Sequence, residues 1–164
     1  MSSPDDAAGF DISIELTVAS PRLDVGPLVR LAAEVMAGEE VPPGTSLAVL
    51  VTDDDEIRAM NRQFLGIDEP TDVLAFPDES DEEFISGYEG PPHLGDVAIS
   101  LPTAVRQAAE AGHGLEREVS HLLVHGILHL RGYDHVTGPE DEARMRTREE
   151  RYLGDLGELH GHGD

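Results

Sequence analysis

The order of apolar patterns along the chain predicts an α+β domain, with one small mixed sheet of about four strands and about five helices packed on it. Segments with period-two or continuous apolar patterns are interleaved with segments whose apolar residues recur at helical spacing. The two kinds do not alternate strictly, as a regular βαβ repeat would require. The length of 164 residues and the apolar fraction of 39% suit a single domain with one core.

Four segments have the patterns of strands. Alternating apolar and polar residues predict a half-buried strand at 10–18, and a continuous apolar run predicts a strand buried on both faces at 45–52. Two shorter strands are predicted at 71–77 and 94–100. The acidic segment 78–93 lies between them, has no periodicity and is predicted to be a loop.

Five segments have apolar residues at helical spacing, and Gly or Pro marks most of their ends. The predicted helices cover 25–40, 53–66, 101–114, 115–131 and 138–156. Gly132 is expected to end the fourth helix, and residues 156–164 are expected to form a flexible tail.

The composition limits the classes of function. Thirty-four acids face eleven arginines and no lysine, which gives a net charge of −23. Such a charge repels phosphate backbones at long range, so bulk charge alone disfavours a nucleic-acid partner. The absence of cysteine excludes disulfides and thiolate metal ligands. Since no signal peptide and no membrane span are evident, we expect a cytosolic protein.

The histidines indicate a metal site. Four of the eight lie within residues 121–135. His125 and His129 are one helical turn apart on the same face, so their imidazoles can converge on one ion. Gly132 permits a left-handed cap that turns the chain and brings His135 to the same point. Three neutral nitrogen donors with an open fourth position are the ligand set of a catalytic zinc, so we predict one Zn²⁺ per chain at these three histidines.

His121 is the alternative third ligand. A straight helix does not easily aim three successive turns of side chains at one ion, so we favour His135 and expect His121 to hydrogen-bond behind the ligands. Asp134 is a candidate carboxylate partner of a ligand, or else a turn residue that bonds its own backbone. Both interpretations of Asp134 stay open.

Gly126 bears on the chemistry. The histidine spacing matches the metzincin protease pattern H-E-x-x-H-x-x-G-x-x-H, except that Gly126 stands where those proteases have their glutamate base. Glycine cannot accept a proton, so peptidase chemistry is disfavoured while the metal scaffold is retained.

The stretch "HGILHLRGYDH" (125–135) resembles the H-G-x-L-H-L-x-G-Y-D-H signature of the YbeY family of metal-dependent endoribonucleases. Two further stretches resemble that family, "PTDVLAFP" (70–77) and "LGDVAIS" (94–100), and the resemblance covers about residues 10–155. It implies that His125, His129 and His135 bind zinc.

The same resemblance implies a single-strand-specific endoribonuclease that acts in 16S rRNA 3′-end maturation and ribosome quality control. Its partners would be rRNA, the small ribosomal subunit, and a ribosomal protein or GTPase, without DNA or membrane. Two alternatives stay open: a metallohydrolase of another class, such as a peptidase, and a non-catalytic ribosome-assembly factor whose zinc stabilises the fold.

One position departs from the family pattern. Many members carry an arginine where this chain has Leu65. Arg62 lies one helical turn earlier and is our candidate RNA-binding replacement; the alternative is an ordinary surface arginine. The attacking nucleophile is likewise open between a metal-bound hydroxide and the RNA 2′-hydroxyl.

Overall fold

The computed structural model describes residues 9–18, 23–77, 92–131 and 139–159, without the side chains of 141, 142 and 155–159. Within these residues the chain has one four-stranded mixed sheet and five helices, which confirms the predicted α+β class.

The sheet has the strand order β1-β2-β4-β3. Its strands are β1 (Asp11–Leu16), β2 (Ser46–Thr52), β3 (Val73–Pro77) and β4 (His93–Ser100). β1, β2 and β4 are parallel, whereas β3 runs antiparallel to β4 and forms an edge of the sheet. The helix that carries His125 and His129 packs against β3 and β4 at this edge.

The helices are α1 (Val25–Gly38), α2 (Asp54–Leu65), α3 (Leu101–Ala111), α4 (Leu115–Leu130) and α5 (Pro139–Leu159). Side-chain caps begin three of them: Asp24 accepts from the backbone N–H of Gly26, Asp53 from that of Glu56, and Ser100 from that of Thr103. Gly66 ends α2 in the left-handed conformation, with φ of 76°. α5 continues to Leu159, while Gly132 and the tail residues 160–164 lie outside the described residues.

The two faces of the sheet are covered unequally. One face packs against α1 and α4 and holds the main core, to which β2 contributes Leu47, Val49 and Val51. The other face is covered by α2, where Ile57 packs on Leu74 and Ala98. The prediction that β2 is buried on both faces was therefore wrong. Alternate residues of β2 are half-buried, because α2 leaves part of its face of the sheet open as a cavity of about 620 Å³.

Asp54 joins the beginnings of α2 and α3. Its Oδ1 accepts hydrogen bonds from Ser100 Oγ at 2.5 Å and Thr103 Oγ1 at 2.7 Å, and its Oδ2 lies 3.1 Å from Arg106 Nη2. The hydrogen bond from Ser100 lowers the pKa of Asp54 below its usual 3.8; burial opposes this, and Thr103 and Arg106 lower it further. The ionised carboxylate is thus the form that stabilises this junction.

We predict that Asp54→Asn lowers the free energy of unfolding at neutral pH by about 1–3 kcal/mol, since hydrogen bonds to a charged acceptor are lost. The folded-state pKa lies below the unfolded one, so this contribution is full above the unfolded pKa of 3.8 and is lost as the pH falls through the folded pKa. Urea unfolding at several pH values should show the wild-type advantage shrinking in acid. Asp55→Asn, which changes an exposed neighbour, is the control; an equal loss in both variants would contradict the assignment.

Candidate metal centre

Gly126 allows α4 to approach the sheet closely. It is buried, and a Cβ at this position would lie 2.8 Å from Val97 Cγ1 on β4 and 3.4 Å from Val73 Cγ2 on β3. No side chain larger than hydrogen fits without movement of those valines. The sequence analysis considered Gly126 only as the position where metzincins carry their glutamate base. In the structure, Gly126 has a packing role at the helix–sheet contact.

His125 and His129 converge beside this contact. Their Nε2 atoms are 3.0 Å apart and their ring centroids 4.5 Å apart. Two N–H groups cannot face each other at this distance, so at most one of the two nitrogens carries a proton. Two nitrogens bound to one tetrahedral zinc lie about 3.4 Å apart, so the pair fits a shared zinc after a small side-chain adjustment.

A cavity of about 330 Å³ lies against the two histidines. The far wall is formed by the segment that follows α2, together with β3. The cavity is lined by Leu65, Thr71, Asp72, Val73, Leu74, Ala75, His125, Gly126 and His129. Two of the stretches that carry the family resemblance, 70–77 and 125–135, therefore meet at one site.

Glu149 on α5 contacts two of the histidines, and sequence reasoning missed this contact. Its Oε2 lies 2.5 Å from His125 Nδ1, its Oε1 lies 3.4 Å from His121 Nε2, and its side chain is 14% exposed. Burial alone would raise the pKa of Glu149, but hydrogen bonds from His121 and His125 and their charges lower it to about 2.

A sequence signal for Glu149 did exist. Met145, Glu149 and Tyr152 follow the i, i+4, i+7 spacing of one helix face. Met145 is buried and Tyr152 half-buried, so an acid between them faces the protein. The interleaved arginines and acids of this segment had suggested a solvated helix instead.

The other predicted site residues are distributed as follows. His121 is exposed and contacts Glu149; its ring centroid is 6.3 Å from that of His125. The hydrogen bond to Glu149 raises the pKa of His121, and partial desolvation of the ring opposes this rise. His135 and Asp134 lie outside the described residues, so the third ligand is not placed. Within the described part of the chain, no three His, Asp or Glu side chains form a metal-binding group.

Arg62 does not line the cavity, whereas Leu65 does. The Arg62 side chain is 61% exposed and its Nη1 lies 3.5 Å from Asp68 Oδ1. The RNA-binding role suggested for Arg62 therefore stays a prediction.

Comparison with known proteins identifies the family. The family model described as Endoribonuclease YbeY matches residues 21–157. The chain belongs to the YbeY endoribonuclease family. The match confirms the resemblance seen in the sequence motifs, and membership makes the protein a hydrolytic endoribonuclease.

Several YbeY relatives are similar over most of their length. A protein named Endoribonuclease YbeY from Chloroflexus aurantiacus is 50% identical over 129 residues, covering 78% of this chain and 84% of the relative. One of that name from Geobacillus kaustophilus is 49% identical over 131 residues, covering 78% and 83%. The solution structure of TM1509 from Thermotoga maritima matches with a TM-score of 0.57 and 27% identity, covering 93% of this chain and 96% of that one. In the described part of this YbeY chain, none of the helices combines the length and apolarity that a membrane crossing needs.

We predict that Gly126→Ala destabilises the fold by about 1–3 kcal/mol, because the added methyl overpacks the contact with Val97. Gly154→Ala on α5, where a Cβ meets nothing within 4 Å, is the matched control and should be neutral or stabilising. Urea unfolding of Gly126→Ala, Val97→Ala and the double variant measures the coupling between the two positions. The double variant should be more stable than the sum of the single losses predicts, and strict additivity would contradict the packing role.

Proposed function

We propose that this YbeY-family chain is a zinc-dependent, single-strand-specific endoribonuclease that acts in 16S rRNA 3′-end maturation and ribosome quality control. The proposal places it in the cytoplasm with the small ribosomal subunit, recruited by a ribosomal protein or GTPase. The observation that carries it is the convergence of His125 and His129, 3.0 Å apart at Nε2, on a cavity that residues 71–75 line on the other side.

The donor set supports zinc. His125 and His129 offer two imidazole nitrogens, and His135 is proposed as the third ligand. Imidazole nitrogens without thiolate suit zinc among the common metals. A bound zinc would supply Lewis acidity toward a phosphate oxygen and a lowered pKa for a bound water.

The exposed apolar residues at the end of α2 support a preference for unpaired RNA. Phe64, Leu65 and Ile67 are exposed at the end of α2, and Leu65 also lines the cavity. Exposed apolar side chains suit the faces of unpaired bases, which a duplex keeps stacked. The Phe64 ring is supported by Phe76, with centroids 5.2 Å apart.

Of the two described acids nearest the histidines, Asp72 lines the cavity and Glu149 does not. Glu149 is bonded to His125 and His121 and is not among the cavity-lining residues. Asp72 does line the cavity, but its Oδ2 lies 3.4 Å from Gln107 Nε2 and its Oδ1 3.4 Å from Thr71 Oγ1. A bound hydroxide and the RNA 2′-hydroxyl stay the two candidate nucleophiles.

The central test combines metal content with RNA cleavage. We predict about one zinc per purified chain, cleavage of single-stranded RNA in preference to duplex, and loss of both metal and cleavage in His129→Ala. His93→Ala is the control, because His93 bonds Ser46 and Asp96 at the start of β4, away from the cavity. Chelator should abolish the wild-type activity, and added zinc should restore it.

The outcomes separate the alternatives. Zinc retained in His129→Ala overturns the ligand assignment. Zinc without RNase activity but with peptidase activity would favour the other hydrolase class. Zinc with neither activity, and a lower unfolding temperature after its removal, would favour the assembly-factor alternative.

We also predict an unusually shallow salt dependence of RNA binding. Each neutralised phosphate of a single strand would contribute about −0.7 to the slope of log affinity against log salt concentration. Salt also screens the repulsion between RNA and a chain of net charge −23, which opposes this fall in affinity. The slope of log affinity against log salt should be no steeper than about −1.4, the value for two phosphates. A steep, monotonic fall in affinity would show that direct phosphate contacts dominate. Arg62→Gln would then reveal whether Arg62 makes one of them.

A further inference from the structure

We propose that Glu149 is a positioning residue that holds His125 in the tautomer with its proton on Nδ1, leaving Nε2 bare for the metal. The inference rests on the proposed metal site. It assigns a function to a residue of α5 that is neither a metal ligand nor part of the cavity wall.

The first step of the argument is the hydrogen bond itself. Glu149 Oε2 is 2.5 Å from His125 Nδ1. An ionised carboxylate only accepts hydrogen bonds, so Nδ1 must carry the proton. In neutral histidine the other ring nitrogen is then an acceptor, which is the form that binds metal. That nitrogen, Nε2, faces His129 at 3.0 Å.

The second step is that Glu149 itself is held in place. Its other oxygen, Oε1, lies 3.4 Å from His121 Nε2, and the side chain is only 14% exposed. Two histidines one helical turn apart on α4 therefore fix the carboxylate plane. A carboxylate that fixes the ring of a metal-binding histidine typically changes metal affinity by 10–100-fold when it is removed.

The third step is the attachment of α5, which carries Glu149. We call the residues Glu39, Arg131, Arg148 and Tyr152 the Glu39 anchor. Tyr152 Oη donates to Glu39 Oε2 at 2.5 Å, and Arg148 Nη2 lies 3.2 Å from the same oxygen. Arg131 Nη2, just beyond α4, donates to the Glu39 carbonyl at 3.0 Å.

The anchor brackets Glu149 along α5, because Arg148 precedes it and Tyr152 follows it by less than one turn. It also joins α5 to the end of α1, where a Cβ at Gly38 would clash with the Tyr152 ring. Glu39 is buried, so the hydroxyl and guanidinium that bind it are hard to replace by water. The anchor thus fixes the distance from α5 to α4 at which Glu149 meets His125.

The test uses zinc affinity, measured by competition with a chromophoric chelator on the full chain. Glu149→Ala should weaken zinc binding about 10–100-fold. Glu149→Gln should weaken it less, because an amide oxygen still accepts from Nδ1–H although the side chain can flip and donate instead. Glu150→Ala, which removes the adjacent exposed acid, is the matched control and should leave the affinity unchanged.

A second readout needs neither metal nor activity. Long-range ¹H–¹⁵N NMR spectra of the metal-free protein report which ring nitrogen of His125 carries the proton. Wild type should show protonated Nδ1, and Glu149→Ala should shift His125 toward the Nε2–H form. Circular dichroism of each variant checks that the helices are retained.

The anchor is tested separately with Tyr152→Phe, which deletes only the hydroxyl that donates to Glu39. It should weaken zinc binding several-fold while Glu149 remains present. Unchanged affinity would overturn the anchor's part in the inference.

The failures are distinguishable. If wild type binds no zinc, the proposed metal site fails, and the NMR tautomer still decides the role of Glu149. If wild type binds zinc and Glu149→Ala keeps both the affinity and the Nδ1–H tautomer, the positioning role is wrong and the proposed function stands.

Discussion

The contact between α4 and the sheet at Gly126 determines the geometry of the candidate site. Because no side chain stands between the helix and Val97, the backbone of α4 lies directly against β4 and the edge strand β3. His125 and His129, on either side of Gly126 along the helix, are thereby placed opposite the 71–75 segment. The cavity is the gap between this segment and the two histidines. A larger residue would push the helix outward, and both histidines would move with it.

Two largely enclosed carboxylates connect α5 to α1 and α4. Glu39 and Glu149 are largely enclosed, and each has partners: Tyr152 and Arg148 for Glu39, His121 and His125 for Glu149. Removing one partner of a buried charge leaves the other uncompensated, which costs more than a surface ion pair contributes. α5 is therefore held by polar contacts of strict geometry rather than by apolar area alone, and these contacts set the orientation of the His125 ring.

The sequence predicted the parts of the structure that depend on local periodicity. The apolar patterns predicted four strands and five helices, and i, i+4 spacing predicted that His125 and His129 share a face. The prediction that β2 is buried on both faces was wrong, since a continuous apolar run does not reveal that α2 covers only part of one sheet face. Sequence reasoning missed Glu149, since the partner of that acid is His125, 24 residues away, and alternating charges in α5 look like a solvated surface. The packing role of Gly126 was likewise invisible, because it depends on the strand order that brings Val97 beneath α4.

The net charge of −23 gives a poor picture of the field near the cavity. Two acids in this region have polar partners within the fold. Asp68 lies 2.8 Å from Arg58 Nε and 3.5 Å from Arg62 Nη1, while Glu149 faces two imidazoles. Beyond a Debye length of about 8 Å, uncompensated surface acids act weakly on a ligand in the cavity. Three exposed apolar side chains, Phe64, Leu65 and Ile67, lie at the end of α2, and Leu65 lines the cavity. In the proposed enzyme, an RNA strand would therefore be held by base contacts and the metal site rather than by phosphate neutralisation. Such binding is weak without help, which is why a ribosomal partner belongs to the proposal.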